Sequence, residues 1–236
     1  MAFLLLIETS TKVCSVALAK KFSIVKTVEE NSPDYSHSSQ LTVFIRQLIE
    51  ETGVLFEEID GVAVSHGPGS YTGLRIGTSV AKGLCYALDI PLIGVDTLKA
   101  LTVTMLNSPY ALQIKDSATL FCPMIDARRM EVYNAVYDNN LKTIKSVSAD
   151  IIDINSYQSL LEKQIICFFG DGATKCRTVI NSENAQFFDQ VLPSAAGMAP
   201  LAYEKFEKKQ FEDAAYFEPF YLKDFIAGKP KVKGLD

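Results

Sequence analysis

The sequence has few histidines, and its cysteines lack the spacing of a metal site or a disulfide framework. Its 236 residues contain two histidines and five cysteines, with no C-x-x-C, H-x-x-x-H or H-E-x-x-H motif. Because a zinc site needs three or four nitrogen, sulfur or carboxylate ligands, no metal site is predicted. An odd number of cysteines, mostly in apolar runs, predicts buried thiols in a reducing compartment.

Long hydrophobic runs and an excess of basic residues are also missing. No apolar run approaches the roughly 20 residues of a membrane span. The opening MAFLLLIETS lacks the basic segment and cleavage site of a signal peptide. We therefore expect a cytoplasmic protein with no membrane partner. The formal net charge is −5, so the chain lacks the basic surface that holds nucleic acid, and contact with RNA would be indirect.

What the first half contains is a run of three closely spaced strand-like segments, followed by alternating helices and strands. Hydrophobic residues make up 48% of the chain, enough for a large core. Periodicity predicts strands over 3–7, 13–19, 22–28, 61–66 and 91–95, and helices over 37–51, 71–88 and 97–107. Ser36 is the expected N-cap of the first helix, and Gly53 its expected end.

The second half repeats this order of elements without repeating the residues. Strands are predicted over 119–127, 130–138, 141–149, 165–170 and within 186–193, and helices near 155–163, after Gly172 and over 197–209. Two such units predict an α/β fold of two lobes, residues 1–108 and 109–236, each a mixed sheet with flanking helices and with a cleft between them. This is the architecture of the actin, Hsp70 and sugar-kinase group.

A glycine-rich turn lies in SHGPGSYTGLRIGTSVAKGL (65–84). It fails the P-loop pattern, because three residues separate Gly69 from Gly73 and Leu74 follows in place of the lysine. It also fails the dinucleotide fingerprint, because Gly67, Gly69 and Gly73 are spaced one residue too widely. A tight strand-to-helix turn is the favoured interpretation, and an anion at the N terminus of the helix stays an alternative.

The helix after this turn carries small residues in two stripes. Gly73, Gly77 and Ala81 are four residues apart, and Ser79 and Gly83 form a second pair on another face. A glycine in a helix interior costs roughly 0.5–1 kcal/mol relative to alanine, which suggests that another backbone approaches closely. That backbone belongs either to the chain's own sheet and neighbouring helix or to a helix of a partner protein.

Three further turns are candidate anion sites. Glu8 and the turn Thr9, Ser10 and Thr11 occupy the place where actin-like ATPases and sugar kinases carry a carboxylate and a phosphate-holding turn. Gly170 and Gly172 occupy the matching place in the second lobe. For both, an ordinary polar turn is the alternative. Arg128 and Arg129 either bind an anion or an acidic partner, or form a solvated turn. The G-x-S-x-G elbow of a serine hydrolase is missing.

Five segments together resemble the TsaB (YeaZ) family, whose bacterial members help to make threonylcarbamoyladenosine in tRNA. They are LLLIETSTKVCSVAL, HGPGSYTGLRIGTSVAKGL, PLIGVDTLKAL, DARRMEVYNAVYD and, near the C terminus, FEPFYLK. The resemblance implies a two-lobed actin-like/Hsp70-like (ASKHA, RNase H-like) fold that has lost catalysis, a pseudoenzyme. It implies a scaffold subunit that pairs with a catalytic TsaD-type subunit, in an assembly joined by a TsaE-type ATPase and acting on tRNA.

In that family the first two helices form the interface, which maps here to 37–51 and 71–88. The implied interface residues are Leu41, Phe44, Ile45, Leu48, Tyr71, Gly73, Leu74, Arg75, Gly77, Thr78 and Lys82. The resemblance implies no cofactor bound by this chain alone, and ATP or ADP at the interface shared with the partner. It also implies a homodimer when the chain is alone.

The sequence departs from the family at Glu8, which replaces the usual aspartate. The alternative function is a small-molecule phosphotransferase of the sugar- or acetate-kinase type. That function would need Glu8, the turns at 9–11 and 170–172, and a magnesium nucleotide.

Overall fold

Two five-stranded mixed sheets with the same strand order form the framework of the chain. The computed structural model describes residues 2–31, 37–114 and 117–223, so the predicted cap Ser36 lies outside the described residues. In each sheet an antiparallel meander of three strands is extended on its first strand by two parallel strands. The duplicated element order predicted from the sequence is confirmed.

The first sheet has the order β3-β2-β1-β4-β5. Its strands are β1 (Phe3–Glu8), β2 (Val13–Lys20), β3 (Ser23–Asn31), β4 (Gly61–Gly67) and β5 (Leu92–Asp96), and its helices are α1 (His37–Thr52), α2 (Tyr71–Leu88) and α3 (Thr97–Leu106). The central strand β1 is covered on both faces, which is why its sequence is a continuous apolar run without alternation. Gly53, at φ +69°, follows the end of α1 as predicted.

The second sheet has the order β10-β9-β6-β7-β8. Its strands are β6 (Leu120–Asp126), β7 (Glu131–Tyr137), β8 (Thr143–Ile151), β9 (Ile166–Phe169) and β10 (Ala185–Phe188), and its helices are α4 (Gln158–Leu161) and α5 (Ala173–Cys176). The helix expected over 155–163 is shorter than predicted. Tyr157, just before it, has a left-handed backbone (φ 63°), a conformation that a continuous helix excludes.

The first sheet is covered on both faces by helices of the same chain. On one face α1 and α2 pack on it, with Leu41, Leu48 and Cys85 in one core with Ile7 and Val62. On the opposite face the last helix, α6 (Ala199–Glu207), joins a second core. Helix α3 lies between the two sheets, because Ala100 belongs to that second core and Leu101 to the core of the second sheet.

The position of α6 corrects the predicted domain boundaries. Ala199 and Ala202 pack with Leu6 on the first sheet, and the hydroxyl of Ser15 in β2 accepts a 2.9 Å hydrogen bond from the Ala195 backbone. The second lobe therefore does not extend over 109–236, because the chain returns to the first lobe after β10. The apolar periodicity of α6 shows that one face of the helix is buried, but it does not show which of the two similar sheets that face covers.

The five cysteines are all buried and free, as predicted. In the ranges that the structure describes, no helix has both the length and the apolar character needed to cross a membrane.

Candidate functional site

A cleft of about 290 Å³ lies where the two lobes meet. It is formed by the β1–β2 turn, the turn before α2, the β6–β7 hairpin, the turn after β9 and the chain segment 220–223. The two central strands β1 and β6 thus end at the same opening. The cleft is the place to test each turn that the sequence singled out.

The β1–β2 turn is closed by the chain itself. Thr9, Ser10 and Thr11 are buried. The backbone carbonyl of Ser10 accepts a 2.6 Å hydrogen bond from the Ser70 amide, and a Cβ added to Gly69 would lie 2.5 Å from that same oxygen. The glycine-rich turn is therefore a tight turn pressed against the β1–β2 turn. Ser10 and Thr11 line the cleft, whereas the amides of Thr9 and Ser10 already donate to the Ser65 hydroxyl (3.3 Å) and to Glu8 Oε1 (2.6 Å). An anion contact on Thr9, Ser10 and Thr11 stays a prediction, with these two amides engaged inside the chain.

Glu8 lies behind this turn, outside the lining of the cleft. Its carboxylate is 1% exposed, and its Oε1 accepts a 2.6 Å hydrogen bond from the Ser10 amide. Desolvation raises the pKa of Glu8 above its ordinary value, although hydrogen bonds from Ser10 and Ser65 oppose the shift. A carboxylate buried in this way is not placed to hold a metal-bound water in the cleft. Across the described ranges, no group of three or more His, Cys, Asp and Glu side chains could hold a metal ion.

Two of the three glycines of α2, Gly73 and Gly77, face the β1–β2 turn. A Cβ added to Gly73 would lie 2.0 Å from the carbonyl oxygen of Thr9, and one added to Gly77 would lie 2.3 Å from the Thr9 hydroxyl. Non-bonded atoms do not approach each other this closely, so both positions require glycine. This corrects our interpretation of Gly73 and Gly77 as clearance for a partner's helix: the residue that approaches both positions is Thr9 of the same chain, with its carbonyl at Gly73 and its hydroxyl at Gly77.

The turn after β9 is tight for a similar reason. Gly170 has φ +97°, and a Cβ there would lie 2.3 Å from the Met124 carbonyl, while one on Gly172 would lie 2.9 Å from the carbonyl carbon of Ile125. The two glycines therefore let the turn pack on β6, which gives them a structural role in place of the predicted anion contact. Between them, Asp171 lines the cleft and accepts a 3.1 Å hydrogen bond from the Asp126 amide. Burial raises the pKa of Asp171 to about 6.

The β6–β7 hairpin brings Arg128 to the cleft. Arg128 and Arg129 both have left-handed backbones, at φ 72° and 50°. The Arg128 amide donates a 2.9 Å hydrogen bond to Asp126 Oδ1, and Asp126 also pairs with Lys175. Arg128 lines the cleft, whereas Arg129 is exposed outside it.

The segment 212–223 carries the remaining wall, formed by residues 220–223, a role that the sequence did not predict. Its amides at Glu212 and Phe220 donate to the carbonyls of Leu92 (2.9 Å) and His66 (2.7 Å) in the first sheet. Lys223 then reaches Glu131 of the second lobe at 2.5 Å. In the sequence, this segment was marked only by its aromatic residues and by the family-like FEPFYLK.

Seven of the predicted interface residues point into the first lobe. They are Leu41, Ile45, Leu48, Gly73, Leu74, Gly77 and Thr78, all buried. Phe44, Tyr71 and Lys82 are half-buried and Arg75 is exposed. Lys82 donates to the backbone carbonyls of Ala215 and Phe217, and Arg75 donates to the Tyr71 hydroxyl at 2.6 Å.

The outer surface of α2 carries the second pair of small residues. Ser79 and Gly83 are exposed, and a Cβ added to Gly83 would meet open space. Tyr86, one turn further along, is 90% exposed. The part of α2 that is free to meet another molecule is therefore this outer surface, which we call the α2 outer face (Arg75, Ser79, Gly83 and Tyr86).

Comparison with known proteins places these features in a family. Residues 32–228 match the profile of the family described as "TsaD: tRNA N6-adenosine threonylcarbamoyltransferase". The chain is 28% identical to the Escherichia coli "tRNA threonylcarbamoyladenosine biosynthesis protein TsaB", with 96% of each chain covered. It is 26% identical to the Haemophilus influenzae protein of the same name, with 96% of this chain and 95% of that protein covered.

The same relationship appears in three dimensions. The solved structure "YeaZ from Pseudomonas aeruginosa" superposes with a TM-score of 0.75 at 25% identity, over 94% of this chain and 100% of that one. A second Pseudomonas aeruginosa structure, described as an uncharacterized protein with similarity to peptidase YEAZ, has a TM-score of 0.77 at 26% identity over the same shares. The predicted two-lobed actin-like, RNase H-like α/β fold is confirmed. The chain belongs to the family of the tRNA N6-adenosine threonylcarbamoyltransferase TsaD, and within it to the TsaB (YeaZ) group.

Proposed function

We propose that this chain is a non-catalytic subunit in the biosynthesis of threonylcarbamoyladenosine in tRNA, and that it pairs with a TsaD-type catalytic subunit. The names of its relatives support the process. The single observation that carries the non-catalytic part is the closure of the β1–β2 turn. Glu8 is buried behind that turn, and the Ser70 amide donates a hydrogen bond to the Ser10 carbonyl.

The same observation counts against the phosphotransferase. Such an enzyme needs a charged carboxylate and open amides at the end of the first strand, to hold a metal-bound water and the phosphates. Here the carboxylate is desolvated, which favours its neutral form, and the amides of Thr9 and Ser10 are already bonded within the chain. A peptidase is also disfavoured, because His66 contacts Phe217 and Phe220 and makes no hydrogen bond to Ser70 among the bonds of the described residues.

The pairing is assigned to the α2 outer face together with the exposed edge of α1. Val43 on α1 is 47% exposed, and Tyr86 on α2 is 90% exposed, so apolar surface is available there. Because Ser79 and Gly83 are small, the helix surface between Val43 and Tyr86 has no bulky side chain at these two positions, which allows a second helix to approach closely. The partner contact thus uses the outer small pair and not the inner stripe of Gly73 and Gly77.

The other members of the assembly follow from the same proposal. A TsaE-type ATPase joins the pair, with ATP or ADP at the shared surface. Contact with tRNA is made through the partner, because this chain carries a net charge of −5. When the partner is missing, two copies of the chain pair through the α2 outer face, because an exposed apolar face of a helix rarely stays uncovered.

The experiment is co-purification with a TsaD-type subunit expressed beside this chain. Gly83→Arg adds a bulky charge to the α2 outer face without an internal clash, since nothing lies within 4 Å of that site. It should abolish the complex while the circular dichroism spectrum of the isolated chain stays native. The matched control is Ile151→Arg, a change at another exposed site, on β8 of the second lobe.

Retention of the complex by Gly83→Arg would refute the assigned surface. Turnover of ATP by the isolated chain on a small-molecule acceptor, measured with magnesium present, would refute the non-catalytic role and restore the phosphotransferase.

A further inference from the structure

Helix α2 is basic, although the chain as a whole carries a formal net charge of −5. Arg75 and Lys82 are the charged residues of this helix, and the sequence has no acidic residue between Asp60 and Asp89. Because Arg75 and Lys82 are two helical turns apart, they lie on one side of α2, separated by roughly 10 Å along the helix axis. The side of α2 that carries the α2 outer face is therefore positively charged.

Arg75 is held in place without being neutralised. Its guanidinium donates a 2.6 Å hydrogen bond to the Tyr71 hydroxyl and lies 5.3 Å from the centre of the Tyr71 ring. In the part of the chain that the structure describes, no carboxylate forms an ion pair with Arg75. Because a guanidinium has five N–H donors in a planar fork, the contact with Tyr71 orients the group and leaves most of its donors for a carboxylate from outside.

Lys82 is held in a similar way at the edge of the α2 outer face, next to Gly83. Its ammonium donates to the carbonyls of Ala215 (3.1 Å) and Phe217 (3.2 Å), which are neutral acceptors, so the positive charge is not compensated. An ammonium has three donors, and within the described ranges the third donor of Lys82 has no acceptor. Lys82 can therefore keep both carbonyls and still donate to a carboxylate of another molecule.

The neighbouring helix α1 does not supply the missing carboxylates. Its two acidic residues are already paired, Glu50 with Arg46 at 3.8 Å and Glu51 with Lys26 at 2.6 Å. A second copy of the chain that docks through the same helices would therefore bring paired carboxylates and further basic residues.

Two copies joined through the α2 outer face place like charges opposite each other. In a parallel crossing Arg75 faces Arg75, and in an antiparallel crossing centred near Ser79 it faces Lys82 of the other copy. Like charges across an interface oppose binding and thereby select against the wrong partner. The homodimer is thus the weaker pairing of this surface, and the surface is complementary to a partner of opposite charge.

We propose that Arg75 and Lys82 select an acidic helix of the partner, which presents one carboxylate to Arg75 and a second, about two turns away, to Lys82. This inference rests on the proposed pairing with a TsaD-type subunit and states the chemistry of the helix that this subunit presents. Tyr86 and the small residues of the α2 outer face supply apolar contact and close approach. The two charges supply partner specificity and fast association, which is the usual effect of charges at the rim of an interface.

The test measures the Kd of the full chain for the TsaD-type subunit at about 50 and about 500 mM salt, which differ strongly in how far they screen surface charges. The wild-type complex should be weaker at the higher salt. Arg75→Glu and Lys82→Glu should each raise the Kd at least about tenfold at the lower salt, and by much less at the higher salt. Arg75→Lys keeps the charge and should stay within about threefold of wild type, whereas Arg75→Gln should behave more like Arg75→Glu.

Lys163→Glu is the matched control, because it makes the same change of net charge at an exposed site of the second lobe and should leave the Kd within about twofold. The isolated chain should self-associate more tightly at the higher salt, and the reverse order would overturn the inference. A complex whose Kd ignores both salt and the Arg75 and Lys82 variants would overturn the inference and leave the proposed pairing intact. If the wild-type chain formed no complex at either salt, the proposed pairing itself would fail, and this inference with it.

Discussion

The hydroxyl of Thr9, in the turn after β1, donates a 2.8 Å hydrogen bond to the backbone carbonyl of Gly73 in the first turn of α2. The same residue limits what α2 can carry at two positions, since Gly73 faces its carbonyl oxygen and Gly77 faces its hydroxyl. Helix α2 and the β1–β2 turn are therefore built as one contact. The closure of the turn, on which the non-catalytic proposal rests, depends on these glycines.

Gly77→Ala should destabilise the fold by about 1–3 kcal/mol, the usual cost of overpacking a core. The added Cβ would lie 2.3 Å from the Thr9 hydroxyl oxygen, whereas the other two Thr9 atoms near it are at an ordinary 3.5 Å. Removing the hydroxyl should relieve the clash. In urea unfolding, the double variant Thr9→Ala/Gly77→Ala should therefore lose less stability than the sum of the two single variants.

Gly73→Ala tests the same contact, and Thr9→Ala should not restore the stability that it loses. Its Cβ would meet the backbone oxygen of Thr9 at 2.0 Å, which Thr9→Ala does not remove. Gly83→Ala is the control for helix propensity. With open space around it, this change should stabilise the chain by roughly 0.5–1 kcal/mol. Equal effects of alanine at all three glycines would contradict the packing argument.

Glu8→Gln should change how stability depends on pH. The pKa of Glu8 is raised on folding from an ordinary value of 4.5, so the native state binds the proton more tightly than the unfolded chain does. The stability contributed by this group is therefore present below the unfolded pKa and is lost as pH rises through the native pKa. The neutral amide has no such slope and keeps an acceptor for the Ser10 amide.

Chemical unfolding between about pH 4.5 and 8 measures this difference. Glu8→Gln should gain stability relative to the wild type as pH rises. Glu8→Ala is the comparison variant, since it removes the acceptor of the Ser10 amide and should be less stable than Glu8→Gln at each pH. A constant offset between Glu8→Gln and wild type over the range would show that Glu8 is ionised in the fold.

Lys82→Met should loosen the C-terminal wall of the cleft. The Lys82 ammonium holds the carbonyls of Ala215 (3.1 Å) and Phe217 (3.2 Å), and methionine keeps the aliphatic chain without the donors. Chymotrypsin under native conditions should cut at Phe217 and Tyr221 several-fold faster in this variant. Lys142→Met, at an exposed site before β8, should leave the cutting rate unchanged. An unchanged rate in Lys82→Met would mean that the other contacts hold the segment alone.

The sequence predicted elements well and contacts less well. Periodicity located the ten strands and the long helices because each has a face that must be buried, and the repeated order gave the two lobes. The outer pair (Ser79 and Gly83) and the inner stripe (Gly73 and Gly77) of α2 look alike in sequence, however. Glycine spacing indicates a close approach by another group, but it does not identify that group. Thr9 is 64 residues from Gly73. Asp171 and Arg128 likewise line one cleft only because the turn after β9 packs on β6, next to the β6–β7 hairpin.

The last test concerns the lobe to which α6 belongs. Ala202 packs with Leu4 and Leu6 of β1, whereas Glu204 on the same helix pairs with Lys208 at the surface. Ala202→Arg would bury a charge against the first sheet, which is costly unless the local structure opens. In hydrogen exchange, this variant should lose amide protection in β1, β4 and β5, with β6 and β9 unaffected, and Glu204→Arg should change neither set. Loss of protection in β6 and β9 instead would assign α6 to the second lobe, as the sequence pattern first indicated.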